Sequence, residues 1–147
     1  MKLILRQAVV TDLPAIYRGE QSYIRSWEPE HEASWNFQFE KHLTRWVENF
    51  DRLTIAVMGD QFAGYSLWTQ EHNYAELCTI NVDANCRRSG VGTALLAAYA
   101  LDAKNQGFSQ LRLSVRADNP ARLMYERFGF VHTGTGAHGY LTYERCV

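Results

Sequence analysis

Residues 74–106 read YAELCTINVDANCRRSGVGTALLAAYALDAKNQ, and they govern how the remaining chain is read. Tyr74 to Val82 has the β-branched and apolar content of a strand. Gly90 to Gln106 is the clearest helix in the chain, with Val91, Ala94, Leu95, Ala98 and Leu101 on one stripe and Gly107 as its stop. Between them stands Arg87-Arg88-Ser89-Gly90-Val91-Gly92-Thr93. The two glycines permit a tight turn and leave successive N–H groups uncovered. Free N–H groups at the positive end of a helix suit a phosphate, and the arginine pair adds charge at any working pH. A Rossmann fingerprint would need a third glycine where Leu95 stands, and a Walker loop would need Gly-Lys-Ser/Thr, which is absent. Taken alone, the stretch also fits an ordinary strand-to-helix turn with a solvated arginine pair.

Working toward the N-terminus, Leu3 to Ala8 reads as a first strand. Thr11 reads as the cap of a helix beginning at Asp12, with Leu13, Ile16 and Tyr17 on one face. Residues 20–38 show no clear period. Phe39, Leu43, Trp46, Val47 and Phe50 then form the stripe of a second helix. Leu53 to Met58 and Phe62 to Thr69, joined through Gly59-Asp60, read as a hairpin. On the C-terminal side, Leu111, Leu113 and Val115 alternate with Arg112, Ser114 and Arg116 in a strand. Asn119-Pro120 opens a helix that runs to Phe128 and stops at Gly129. Two closing strands, near Phe130–Thr133 and Gly139–Arg145, flank a turn read at Gly134-Thr135-Gly136. The order is β-α-α-β-β-β-α-β-α-β-β, a mixed α/β arrangement expected to form one domain over residues 1–147.

Composition narrows the function. A chain of 147 residues, 46% hydrophobic, can bury roughly 70% of its unfolded surface. Fifteen basic against sixteen acidic residues leave no basic excess, which argues against a nucleic-acid partner. Cys78, Cys86 and Cys146 are odd in number without CxxC spacing, and the five histidines are scattered, so neither a disulfide framework nor a metal site is expected. No apolar run approaches the roughly 20 residues that cross a bilayer, so no membrane partner is expected. Charge at Lys2 and Arg6 comes too early for a signal peptide, and the expected compartment is cytoplasmic.

Arg87-x-x-Gly90-x-Gly92, after a strand ending at Val82 and before a long helix, resembles the acetyl-CoA-binding motif of the GNAT (GCN5-related N-acetyltransferase) superfamily. Asn119-Pro120, followed by Tyr125 and then Gly129-Phe130, resembles that family's second CoA motif. The resemblance implies a mixed, mostly antiparallel sheet flanked by helices and splayed near Val82. It implies an enzyme that passes acetyl directly from acetyl-CoA to a primary amine, with no metal. Backbone groups of Ile80 and Val82 would pair with the pantetheine arm. The N–H groups of Arg88, Ser89, Gly90, Val91, Gly92 and Thr93 would hold the pyrophosphate, which Arg87 and Arg88 would neutralise. Asn119 would meet the pantetheine, cap its helix, or do both. Family members form homodimers in some cases, and no feature here establishes one.

By the same resemblance, Tyr125 takes the place of the general acid, and Glu76 that of the catalytic glutamate of histone acetyltransferases. A lysine-like amine near pKa 10.4 carries a protonation handicap of about 4–5 kcal/mol at pH 7, so a base is useful, while a thiolate near 8.5 leaves with modest help. Simple alternation puts Glu76 on one strand face with Cys78 and Ile80; a strand bulge, common in this family, would change that. Cys86 has no partner histidine in sequence and is not expected to be a nucleophile. Between Glu20 and Glu40 the chain carries five glutamates against one arginine, interleaved with aromatics. Tyr23, Trp27 and Glu28 are therefore the candidate acceptor-binding residues, suited to a cationic small molecule or basic peptide. Thr11-Asp12-Leu13-Pro14, Glu20-Gln21 and Val115-Arg116-Ala117 are similar to ribosomal-protein N-terminal acetyltransferases, which makes protein N-termini the alternative substrate. Against that, Ser114 replaces a glutamate of those enzymes and no Tyr-Tyr pair closes the chain. A non-catalytic acyl-CoA sensor is the rival class.

Overall fold

The computed structural model describes residues 2–147. Strand β1 (Leu3–Gln7) leads through a 3-10 turn into α1 (Leu13–Trp27), then α2 (Glu32–Phe37) and α3 (Phe39–Glu48). The meander β2 (Leu53–Met58), β3 (Gln61–Gln70) and β4 (Ala75–Val82) follows. Next come α4 (Val91–Asn105), β5 (Gln110–Arg116), α5 (Ala121–Arg127), β6 (Val131–Thr135) and β7 (Tyr140–Cys146). All seven strands join one sheet in the order β1-β2-β3-β4-β5-β7-β6. Every pairing is antiparallel except β4 with β5, whose parallel arrangement needs the α4 crossover. This is the mixed, mostly antiparallel sheet flanked by helices that the sequence implied.

The sheet separates two cores. On one face, Leu96, Tyr99 and Ala103 of α4 and Tyr125 of α5 pack on Leu77, Leu111, Leu113 and Val115. On the other, Ile16 of α1 and Trp46 of α3 pack on Leu53, Ile55, Tyr65 and Leu67. The Tyr99 hydroxyl donates to the Ala75 carbonyl at 2.7 Å and accepts the Arg112 N–H at 3.3 Å. It therefore ties α4 to both strands of the parallel pair where they still touch.

Several local expectations change. Helix α1 starts at Leu13, and Thr11 lies inside the preceding turn. The buried group there is Asp12, which accepts the Val9 N–H at 2.8 Å and both arms of the Arg6 guanidinium at 2.8 Å. An ionised carboxylate holding three donors outcompetes a hydroxyl. Residues 20–38 are largely helical, since α1 runs to Trp27 and α2 is an added short helix whose one charge, Glu32, accepts from Arg25 of α1 at 2.7 Å. On α4 the buried side is Val91, Leu95, Leu96, Tyr99, Ala100 and Ala103, while Leu101 is 58% exposed. That helix is apolar on most sides, so spacing alone could not choose its face. Val47 of α3 is also about half exposed. Gly134 sits at a bulge of β6, and the chain reverses over residues 136–139.

Gly64 of β3 faces Val82 of β4, and a Cβ built there collides with the Asn81 carbonyl oxygen. Neither strand backbone can retreat without breaking the ladder. Gly64→Ala is expected to cost roughly 1–3 kcal/mol or more, seen as a lowered Tm. An unchanged Tm would show that the two strands have slack at this point.

Candidate active site

Strands β4 and β5 pair only at Ala75–Leu111, Glu76–Arg112 and Leu77–Leu113. Beyond Leu77 they part, because β4 carries a bulge: Leu67 faces Thr79 and Trp68 faces Leu77, leaving Cys78 as the extra residue. A bulge adds a residue on one strand and bends it. Here it reverses the facing of everything after Cys78. Ile80 packs on the α4 side of the sheet and Cys78 on the α1 side, so Glu76 and Cys78 share a face that Ile80 does not. This corrects the simple alternation.

The fork opens into a cavity of about 390 Å³. Leu77, Thr79 and Ile80 form one wall, and Leu113, Ser114 and Val115 the other. Asn119 and Tyr125 close it from the α5 side, while Glu20 and Tyr23 reach it from α1, Glu28 from just past the end of α1, and Arg45 from α3. Val82 lies beyond this lining, at the outer end of the parted strand. On the β5 side, β4 residues past Leu77 have lost their strand partner, which leaves an open edge for an extended ligand.

At the far end of β4 the chain makes a short 3-10 turn, Ala84–Cys86, and enters α4. Arg88 (φ 63°) and Gly90 (φ 81°) are both left-handed, and α4 begins at Val91 with no side-chain cap. The first N–H groups of a helix have no intrahelical acceptor, and alternating backbone hands gather them into an anion-binding concavity. Open space surrounds Gly90, so its role is the left-handed turn itself; at Gly92 a Cβ would press on Met124 Sδ at 2.9 Å. Among the described residues Arg87 and Arg88 have no carboxylate partner; Arg87 folds back so that Nε donates to the Val82 carbonyl at 3.4 Å. Ser89, Val91 and Thr93 complete this loop and first turn.

Tyr125 lies on α5 with its ring edge-on to Phe130, and burial pushes its hydroxyl well above the ordinary tyrosine value, with Tyr23 adding to the shift. It is a phenol that stays protonated at any working pH. Asn119 Oδ1 accepts the Ala121 N–H at 2.9 Å, so this buried side chain caps α5 while lining the cavity. Glu76 sits at the base of the fork, and among the described residues its buried Oε2 has no hydrogen-bond partner. Its carboxyl is pushed up to about 7: burial dominates, Arg112 and Arg45 pull it down, and Glu71 adds to the rise.

Of the acceptor candidates, Tyr23 and Glu28 line the cavity and Trp27 does not. Helix α1 ends at Trp27, and the break at Glu28 (φ −141°, ψ 52°) aims the next side chain inward instead. Ile24, Glu28 and Tyr140 also line a second, outer pocket of about 570 Å³ with Trp35, His42 and Arg116, so these three residues border both spaces. Glu20, Arg45 and Tyr140 were not singled out as site residues from sequence. Glu20 had a signal: it follows Ile16 by one turn, so an acidic residue stands on the apolar stripe of α1.

A family model described as an acetyltransferase (GNAT) domain matches residues 24–138. The [ribosomal protein bS18]-alanine N-acetyltransferase of Escherichia coli strain K12 is 34% identical over 122 residues, covering 82% of this chain and 75% of that protein. Among solved structures, the PaiA N-acetyltransferase of Thermoplasma acidophilum in complex with coenzyme A superposes with a TM-score of 0.84 at 18% identity, covering 100% of both chains. The ribosomal-protein-S18-alanine N-acetyltransferase of E. coli superposes at 0.72 with 23% identity, over 99% of this chain and 94% of that one.

Proposed function

We propose that this chain, which belongs to the GNAT family of acetyltransferases, moves acetyl from acetyl-CoA to the free α-amino group at the N-terminus of a polypeptide. That it is an acetyl-transferring enzyme follows from the family; the acceptor is the further step. The observation that carries it is the adjacency of two spaces: the cavity at the β4–β5 fork, lined by Glu76 and Tyr125, shares Ile24, Glu28 and Tyr140 with the outer pocket. A thioester arm laid along the open edge of β4 and a polypeptide end entering from the outer pocket would meet at the fork. The E. coli relative acts on a protein alanine, which supports the same class of acceptor.

The chain's own residues fit this division. Backbone groups of Ile80 and Val82 would pair with the pantetheine. The uncovered N–H groups from Arg88 to Thr93, with Arg87 and Arg88, suit the pyrophosphate. Glu76 takes the proton from the ammonium, and Tyr125 gives one to the departing sulfur. An α-ammonium near pKa 7.7–8.0 is about one unit above Glu76, so that transfer is nearly balanced, whereas a lysine near 10.4 would be over 4 kcal/mol uphill. Glu20, Glu28 and Glu76 outnumber Arg45 around the cavity, which favours a cationic acceptor.

Thiol release from acetyl-CoA, with product mass, separates the acceptor classes. A peptide with a free N-terminal alanine is expected to be acetylated once, at its α-nitrogen. The same peptide blocked at its N-terminus but carrying lysine is expected to be inert. Turnover confined to polyamines or to lysine side chains would replace this acceptor with the cationic amine expected from sequence.

A further inference from the structure

We propose that Glu20 docks the acceptor's ammonium group in the cavity, a specificity role separate from the proton transfer at Glu76, and this inference rests on acetyl transfer to an amine. Four polar contacts converge on one turn of α1. The Tyr65 hydroxyl donates to Glu20 Oε2 at 2.8 Å and lies 3.4 Å from the Ile16 carbonyl. Thr79 Oγ1 donates to the same Oε2 at 3.0 Å, and Asn81 Nδ2 donates to the Gly19 carbonyl at 3.0 Å. Gly19 makes room for this, because a Cβ there would lie 2.7 Å from the Tyr65 hydroxyl. The outcome is a carboxylate with one oxygen bracketed by two donors from the sheet. The other oxygen has no hydrogen-bond partner among the described residues, in a side chain that lines the cavity.

A pin holding α1 to the sheet would need only a neutral acceptor for the two hydroxyls. A carboxylate half withdrawn from water is costly unless its charge is used. Among the described residues Arg45 is the lone cation of the cavity lining, and its Nη2 is directed at Cys78 Sγ, 2.8 Å away, with no carboxylate within ion-pair distance. The charge of Glu20 therefore remains available to an incoming cation. An ammonium offers three donors, and the open oxygen of Glu20 takes one of them. Burial raises the Glu20 carboxyl, while its two hydroxyl donors and Arg45 favour the ionised form.

Glu20→Gln preserves an oxygen for Tyr65 and Thr79 and removes the charge. With an alanine-terminated peptide, it is expected to raise the acceptor KM about 10- to 100-fold with kcat and the acetyl-CoA KM within a few-fold. With an acyl hydrazide, whose nucleophilic nitrogen is neutral at the assay pH, wild type and variant are expected to share one KM. Thr79→Val, which keeps the charge and frees its orientation, is expected to raise the peptide KM about 2- to 10-fold. Unchanged peptide KM in both variants, or an equal rise with the hydrazide, overturns ammonium docking and leaves a structural pin. No wild-type rate with any amine overturns the acetyl-transfer reading instead, and the role of Glu20 with it.

Discussion

Replacing Glu76 by Gln is expected to lower kcat by about 10²–10³ and to erase the acidic limb of the pH–rate profile. The carboxyl titrates at about 7, and its base form is the ionised one. Wild-type rate should therefore fall about tenfold per unit as pH drops below 7. Gln has nothing to titrate, so the residual rate should be flat there. The position of that limb is set by opposing charges. Burial and Glu71 raise the carboxyl while Arg112 and Arg45 lower it, so Arg112→Leu should move the limb to higher pH. Stability gives an independent reading of the same shift. Between pH 4.5 and 7 the folded protein keeps a proton on Glu76 that the unfolded chain has released. Wild-type stability is thus lost as pH rises through this window. Glu76→Gln should melt higher than wild type at pH 8, by of order 1 kcal/mol once solvent screening is allowed for, and equally at pH 4. A full-rate variant with an intact acidic limb would give the base to water and leave Glu76 a burdened strand residue.

What was legible in the sequence follows the range of the forces involved. The glycine loop, the hairpin at Gly59-Asp60 and the start of α5 at Asn119-Pro120 are local, and each is written in adjacent residues. The mostly antiparallel character of the sheet and its splay near Val82 came through the resemblance carried by Arg87 to Gly92 and Asn119 to Phe130, with the structure then displaying the fork. Tertiary choices were less accessible. Helix α4 has apolar residues on most sides, so Leu101 was assigned inward when Leu96, Tyr99 and Ala103 hold that place. The bulge at Cys78 is an agreement between two strands distant in sequence, and one displaced residue moved Ile80 to the opposite face from Glu76. Glu20 meets Tyr65 and Thr79 across 45 and 59 residues. Its local traces are an acid on an apolar stripe and the Glu20-Gln21 pair of the resemblance, neither of which names its partners. Trp27 was drawn in by its neighbours' chemistry, yet the helix ends under it and delivers Glu28 instead.

Tyr125→Phe is expected to lower kcat by roughly 10- to 100-fold, at or below the lower end of what a positioned acid supplies, with little change in the KM of acetyl-CoA. The lower end applies because a thiolate near pKa 8.5 departs partly unaided. The substitution removes one oxygen and keeps the ring, so the edge-on contact with Phe130 and the packing on Leu113 and Val115 survive. Thermal stability should stay close to wild type, which separates a chemical loss from a folding one. The raised hydroxyl makes a second discrimination available. A phenol held well above its ordinary value does not ionise across the working range, so Tyr125 contributes no alkaline limb of its own. Wild type and Tyr125→Phe should therefore share the same profile shape, displaced only in height, while Glu76→Gln changes the shape. Leaving-group chemistry sharpens the contrast. An acetyl thioester of a more acidic thiol needs less protonation, so the deficit of Tyr125→Phe should shrink with that donor. A deficit that persists unchanged across donors would assign Tyr125 to orienting the thioester beside Asn119, with the departing sulfur left to water.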